Sequence, residues 1–405
     1  MGTTAEKLQA IVSAKADIGA AIMEKRGIVP QKLSEYGNAI RALPTPPLEP
    51  VDAKRLYAAM RNSDWPPMPE NVPENTFVFL YTGAGTASFV VTCEGQYTVE
   101  SKLCTLVDGT WSYTVEETQT FTSETKFTKE FPAADTSEYR LLTISASTIK
   151  KVNFVNVGVD GRSTMPGCVE LLYHISGIAV PIFSDMLDLV FATGLVKVGG
   201  TSSSNAFRDC KSLICVIAKD AHFVGNCTNM FARCEQLMAV DISMDENDNY
   251  ATPALFIDCR SLTSIPPIFG RTASLSNAFA SCTSLREVAI NFETQSSIQM
   301  NTAFNRCYAL NRISLSGPVN ISNMSNAFAR CVSLKHLILN LPNWSGLDFS
   351  IADCSFDLDG LVEMFRSLPT RAAAHSITIT GNPGVADLTE EDKAIATSKG
   401  WTLVL

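Results

Sequence analysis

One triplet of residue types recurs six times in the second half of this 405-residue chain. Cys210, Cys234, Cys259, Cys282, Cys307 and Cys331 follow one another at intervals of 24, 25, 23, 25 and 24 residues. A phenylalanine stands three places before each, at Phe207, Phe231, Phe256, Phe279, Phe304 and Phe328. A leucine stands three places after each, at Leu213, Leu237, Leu262, Leu285, Leu310 and Leu334. A period of this size marks a solenoid, because a single coil cannot bury its apolar side and stacked coils share one continuous core.

Each coil has a physical reading. Three residues before the phenylalanine stand Ser204, Thr228, Pro253, Ser276, Asn301 and Ser325. Five of the six can accept hydrogen bonds from the free amides of a starting helix, so the spacing predicts a capped helical turn with Phe and Cys on its inward face. The alternation after the leucine, as in Leu285-x-x-Val288-x-Ile290 and Leu334-x-x-Leu337-x-Leu339, predicts a short strand. The cysteines read as core fillers, since a small, weakly polar thiol at one inward slot packs as a hydrophobe. The competing reading, a redox or metal array, lacks histidines or acids at matching positions, and the chain has no C-x-x-C pair.

The pattern resembles the BspA-like leucine-rich repeats, whose copies read N-x-F-x-x-C-x-x-L-x-x-I-x-L. Asn205-Ala-Phe207, Asn277-Ala-Phe279 and Asn326-Ala-Phe328 match closely, while Ala254 and Thr302 replace the asparagine in two copies. Weaker copies flank the array at Cys168–Leu171, Phe183–Leu189 and Cys354–Leu358, so the resemblance covers residues 160–405. At the C-terminal end, Ser376–Thr380 reads as a strand, Gly381–Gly384 as a turn and Thr389–Ala396 as a capped helix stopped by Gly400. Trp401–Leu405 then supplies an apolar lid.

The expected fold is multidomain α+β. Residues 1–43 form a helical assembly or attachment segment, with Leu8, Ile11, Lys15, Ile18 and Ile22 at 3-4 spacing. Residues 44–70 form a proline-rich linker with a short helix from Asp52 to Arg61. Residues 71–158 carry period-two runs such as Phe77–Tyr81, Ser88–Thr92 and Tyr139–Ser145, which predict a β-sandwich spacer, with Gly83-Ala-Gly85 as a hairpin turn. Gln96-Tyr-Thr-Val99 and Tyr139–Ile144 resemble PKD-like spacer domains, although the Trp-Gly-Asp-Gly signature is absent. Residues 159–405 form the solenoid and its cap.

No catalytic, cofactor-binding or metal site is expected. The chain lacks a Gly-x-Ser-x-Gly elbow, a Walker loop and a His-Glu-x-x-His pair, and its four histidines share no ligand spacing. Asp245–Asn249 begins like a calcium loop but places Tyr250 where glycine is required. The formal net charge of −9 argues against a nucleic-acid partner. Leu171–Val198, the most apolar stretch, is interrupted by His174, Pro181, Asp185, Asp188 and Lys197, which argues against membrane insertion. The charged start Met1–Ile22 is not read as a signal peptide, so cytoplasmic synthesis is expected.

The surface signal lies at the outward positions after each leucine: Arg286-Glu287, Asn311-Arg312 and Lys335-His336. Stacked, these form a mostly basic stripe that could contact a receptor through charge-assisted hydrogen bonds. Lys7–Ile11, Ala20–Ile22, Leu33–Tyr36 and Ala39–Leu43 resemble the N-terminal module of phage tail-fibre and virion structural proteins. That resemblance implies a homotrimeric virion protein, joined to other tail or baseplate proteins through residues 1–43 and binding a glycan or protein receptor on the bacterial surface. A BspA-like bacterial adhesin and a fibre-borne glycan depolymerase are the alternatives.

Overall fold

The computed structural model describes residues 52–132, 138–155, 164–174, 183–194, 204–223, 226–244, 251–266, 268–294, 297–371 and 373–405. The expected helical segment 1–43, residues 44–51 of the proline-rich linker and the acidic stretch 245–249 lie outside these. Residues 49–405 form one compact unit. It is mostly β, with three α-helices among the described residues: α1 (Ala53–Met60), α2 (Leu358–Ser367) and α3 (Glu390–Thr397).

The first strands are β1 (Thr76–Thr82), β2 (Gly85–Cys93), β3 (Gln96–Val107), β4 (Thr110–Thr122), β5 (Lys126–Phe131), β6 (Glu138–Ala146) and β7 (Ile149–Phe154). Then come β8 (Cys168–His174), β9 (Phe191–Gly194), β10 (Cys215–Phe223) and β11 (Ala239–Met244). Eight of them form one sheet in the order β11-β10-β9-β8-β1-β6-β3-β4, and β5-β2-β7 form a second. The two share apolar side chains: Phe79 meets Phe154 at 5.8 Å, and Tyr81 meets Phe131 at 4.6 Å. Gly83-Ala-Gly85 is not a hairpin turn, because β1 pairs with β6 and β8 whereas β2 pairs with β5 and β7. It is a crossing between sheets, and a side chain at Gly85 would come within 2.6 Å of the Pro166 carbonyl.

The large sheet does not stop at residue 158. Antiparallel pairing of β1 with β8 passes into parallel pairing of β8, β9, β10 and β11, which are successive coils of the solenoid. Phe183 marks the join, with its ring against Phe77, Phe154, Tyr173 and Phe207. From there the repeat phenylalanines stack coil on coil, with centroids 5.3–6.2 Å apart from Phe207 to Phe328.

After β11 the described residues of the next coil, 262–266 and 268, add no strand, and the sequence Ile265-Pro-Pro explains why, since proline has no amide to give to a ladder. The parallel ladder resumes with β12 (Glu287–Asn291), β14 (Arg312–Ser316) and β16 (His336–Asn340). A second ladder holds β13 (Ser297–Gln299) and β15 (Asn320–Asn323). A third, at the C-terminal end, is β17 (Phe349–Ser350), β18 (His375–Thr378) and β19 (Trp401–Val404). Among the described residues no helix is long and apolar enough to cross a membrane.

The segment around each phenylalanine is a chain of turns, where the sequence predicts a helical turn. Asn205, Asn229, Ala254, Asn277, Thr302 and Asn326 have φ of 52–61°. So do Asp209, Arg233, Asp258, Ser281, Arg306 and Arg330, at 59–64°. Two left-handed residues per coil are incompatible with an α-helix. They turn alternate amides toward the next coil, so that Asn205, Phe207 and Asp209 donate to the carbonyls of Thr228, Met230 and Ala232. The same three-rung pattern joins the coil of Phe279 to that of Phe304. The presumed capping side chains also reach sideways: Ser204 Oγ donates to the Asn226 carbonyl, and Ser276 Oγ to Asn301 Oδ1.

Candidate binding face of the solenoid

Stacking in register places one outward residue of each coil above the next. Glu170, Phe191, Cys215 and Ala239 form the N-terminal part of one column, and Glu287, Arg312 and His336 the C-terminal part. The two parts meet different surroundings. Phe191, Cys215 and Ala239 are buried beneath Ala53, Leu56 and Tyr57 of α1 and Trp65 beyond it. Glu170, almost fully buried, accepts a hydrogen bond from the Tyr57 hydroxyl at 2.5 Å and pairs with Arg61 at 2.8 Å. This part of the strand face is closed.

The other end is flanked by α2. Asp357 caps this helix, accepting from the Gly360 amide at 2.9 Å, and Leu361, Met364 and Phe365 bury its apolar side. The helix stands where a further strand would extend the ladder. Gly360 lies against the Lys335 carbonyl, where a side chain would come within 2.2 Å, and the Leu339 amide donates to Ser367 Oγ at 3.0 Å. Its outward residue Glu363 reaches the column: Arg312 donates to Oε1 at 3.1 Å, and His336 Nδ1 lies 2.7 Å from Oε2.

All six predicted surface residues are therefore neighbours, but the stripe is not a free basic one. Arg312 is paired with Glu363 and stands beside Glu287 in the ladder. Arg286 is exposed and Lys335 half-buried, and neither forms an ion pair among the described residues. The Asn311 amide donates to the Arg286 carbonyl, and the Lys335 amide to the Asn311 carbonyl, so this adjacent column is held by backbone bonds.

Further along the strands lies a floor that the sequence reading did not single out. It consists of Ala289, Asn291, Ser314, Ser316, Ile338 and Asn340, exposed or half-buried. Ser316 Oγ donates to Asn291 Oδ1 at 3.0 Å. Strict alternation in Glu287–Asn291, Arg312–Ser316 and His336–Asn340 was the available signal, because every second residue of a half-buried strand must point outward.

The eighteen repeat residues form the core. Each thiol donates to the phenylalanine carbonyl of the coil before: Cys234 to Phe207, Cys259 to Phe231, Cys282 to Phe256, Cys307 to Phe279 and Cys331 to Phe304, at 3.0–3.1 Å. Cys210 to Phe183 at 3.2 Å continues the row. The Phe207 carbonyl also accepts the Cys210 amide, so both of its lone pairs are used inside the core. All twelve cysteines are buried and unpaired. Burial pushes the thiols up, to about 12 for Cys215 and Cys354 and well above the ordinary range for Cys234, Cys259 and Cys307. Thiols held protonated in this way are poor nucleophiles.

The family model for the BspA type leucine rich repeat region, in six copies, matches residues 199–269 and 256–355. BspA-type leucine-rich repeats are present in this chain. Among curated proteins none matches it. Repeats of this type suggest a surface-interaction or adhesin-like protein.

Proposed function

We propose that this chain is a receptor-binding protein of a phage tail, attached to the particle through residues 1–43 and recognising a glycan or protein on the bacterial surface, without catalysis. The contact is the strand face between Arg286 and Asn340. The observation that carries this reading is the contrast along one column: α1 seals the first coils, α2 flanks the last, and the ladder β12-β14-β16 between them keeps its outward side chains accessible. Small amide and hydroxyl groups there can hydrogen-bond a ligand at modest entropic cost, and Arg286 adds a charge-assisted donor.

The test is binding of fluorescently labelled full-length protein to a panel of bacterial cells. Ala289→Trp should block the floor and reduce binding at least tenfold, and Arg286→Ser should weaken it several-fold. Arg306→Ser, on the turn side of the coil, should leave it intact. Equal binding by all three variants would remove the strand face from consideration. The BspA-type repeats equally support a bacterial adhesin, and the two readings separate by location: purified phage particles contain the protein in the first case, and the bacterial surface carries it in the second.

A further inference from the structure

The outer face of the eight-stranded sheet is covered over most of its width. α1 lies over β9, β10 and β11, and Trp65, Met68 and Val72 pack on Val78, Leu80, Leu141 and Leu172 of β1, β6 and β8. The cover ends at the β3–β4 hairpin. Leu106, Tyr113 and Val115 are there 51, 42 and 50% exposed. The pairs Leu106↔Trp111, Cys104↔Tyr113 and Lys102↔Val115 place all three on the same face as the buried Cys104, in continuity with the covered apolar layer.

The hairpin is also the end of the sheet. β4 is thirteen residues long and among the described residues pairs only with β3, so toward these its far side presents a row of free amides and carbonyls. Such an edge is a template for another strand and is ordinarily blunted by charge, proline, a bulge or brevity. This molecule does blunt edges elsewhere: α2 covers β16, and the C-terminal ladder ends in the four-residue β19. In β4 the bulge sits at Glu116, leaving Thr110–Val115 regular, uncharged and free of proline.

We propose that β4 is a self-association edge, where two copies of this chain pair β4 to β4, antiparallel, about a two-fold axis at Tyr113. The side chains select this register. It sets Tyr113 beside its own copy and Trp111 beside the partner's Val115, joining the two exposed apolar strips on one face. Glu116 then lies opposite the partner's Thr110, where the partner's β4 begins, and Glu117 falls beyond that strand, so no carboxylate faces another. A two-fold axis at Glu116 would oppose like charges, and a one-residue slip would put apolar residues opposite outward polar ones. The proposal is independent of the receptor reading and of what residues 1–43 do.

The experiment is a cysteine scan on the full chain. In the proposed register the Cα atoms of residue 113 and its copy lie about 4.5–5.5 Å apart, within disulfide reach. All native cysteines are buried, so an introduced surface thiol is the accessible one. Tyr113→Cys should give a disulfide-linked dimer under mild oxidation, at least tenfold more than Val107→Cys, which is exposed on the same hairpin but lies on β3, one strand in from the pairing edge. Val115→Lys, at a half-exposed side chain, should leave the circular dichroism spectrum unchanged and lower the mass measured by light scattering. Equal cross-linking at 113 and 107, no cross-link at 113, or an unchanged mass for a folded Val115→Lys would overturn the proposal.

Discussion

At the residue scale, two slots of the repeat have distinct physical causes. The asparagine two places before the phenylalanine in four of the six copies answers a backbone requirement: at φ of 54–61° it is one of the few side chains that tolerate the left-handed region. Asn326→Val should therefore cost about 1–2 kcal/mol, whereas Asn326→Gly should be neutral within about 0.5 kcal/mol, as read by urea denaturation. Equal losses for both would show that the side chain matters more than the conformation. The cysteine slot instead combines small volume with a hydrogen bond across coils. Burial raises these thiols in the folded state, so their contribution is fully present below the unfolded thiol value of about 8.5. It is lost as pH rises from there toward their folded values. Stability should fall between about pH 8.5 and 11, each thiol adding up to about 1.4 kcal/mol per pH unit. Replacing Cys259 and Cys307 by Ala should make that slope shallower. An unchanged slope would assign the alkaline loss to other groups.

At the element scale, the strands were legible because alternation is a local property. Phe77–Tyr81, Ser88–Thr92 and Tyr139–Ser145 lie within β1, β2 and β6, and Asp52 caps α1 through the amides of Lys54 and Arg55. The strand partners were not legible, since register depends on contacts far apart in the chain. α2 was not legible although Leu358, Leu361, Phe365 and Leu368 have helical spacing, because Cys354–Leu358 also fits a weak copy of the repeat. What fixes α1 on the sheet is a buried carboxylate. Arg61→Ala should cost about 3 kcal/mol in denaturant unfolding by leaving Glu170 with only Tyr57, and Glu170→Leu in the same chain should restore most of that loss. If the double variant is as unstable as the single one, the loss reflects packing of the arginine stem.

At the scale of the whole molecule, one apolar core runs from Phe77 to Trp401. A solenoid needs both ends closed. The two-sheet region closes the first coil through Phe183, and the last is closed by Trp344 and Trp401, whose rings are 5.3 Å apart. Trp401 is buried, and its indole N–H donates to the Pro369 carbonyl at 2.9 Å. Trp401→Ala should cost about 3–5 kcal/mol and raise amide hydrogen exchange first in β18 and the Trp344 coil. Uniform acceleration through the solenoid would mean that the coils open as a single unit.

The sequence alone determined the period, the inward slots and the strand that follows the repeat leucine in every coil but that of Leu262, because a repeating core imposes the same demand on each coil. It also brought Arg286, Glu287, Asn311, Arg312, Lys335 and His336 together, since in-register stacking follows from the repeat itself. Only the tertiary structure decided that the phenylalanine segments are turns, because their amides are satisfied by the neighbouring coil and not by their own backbone. It alone decided which part of the strand face is open. The groups that close or neutralise it, Tyr57 and Arg61 at Glu170 and Glu363 at Arg312 and His336, come from segments outside the repeat, whose positions no local pattern encodes.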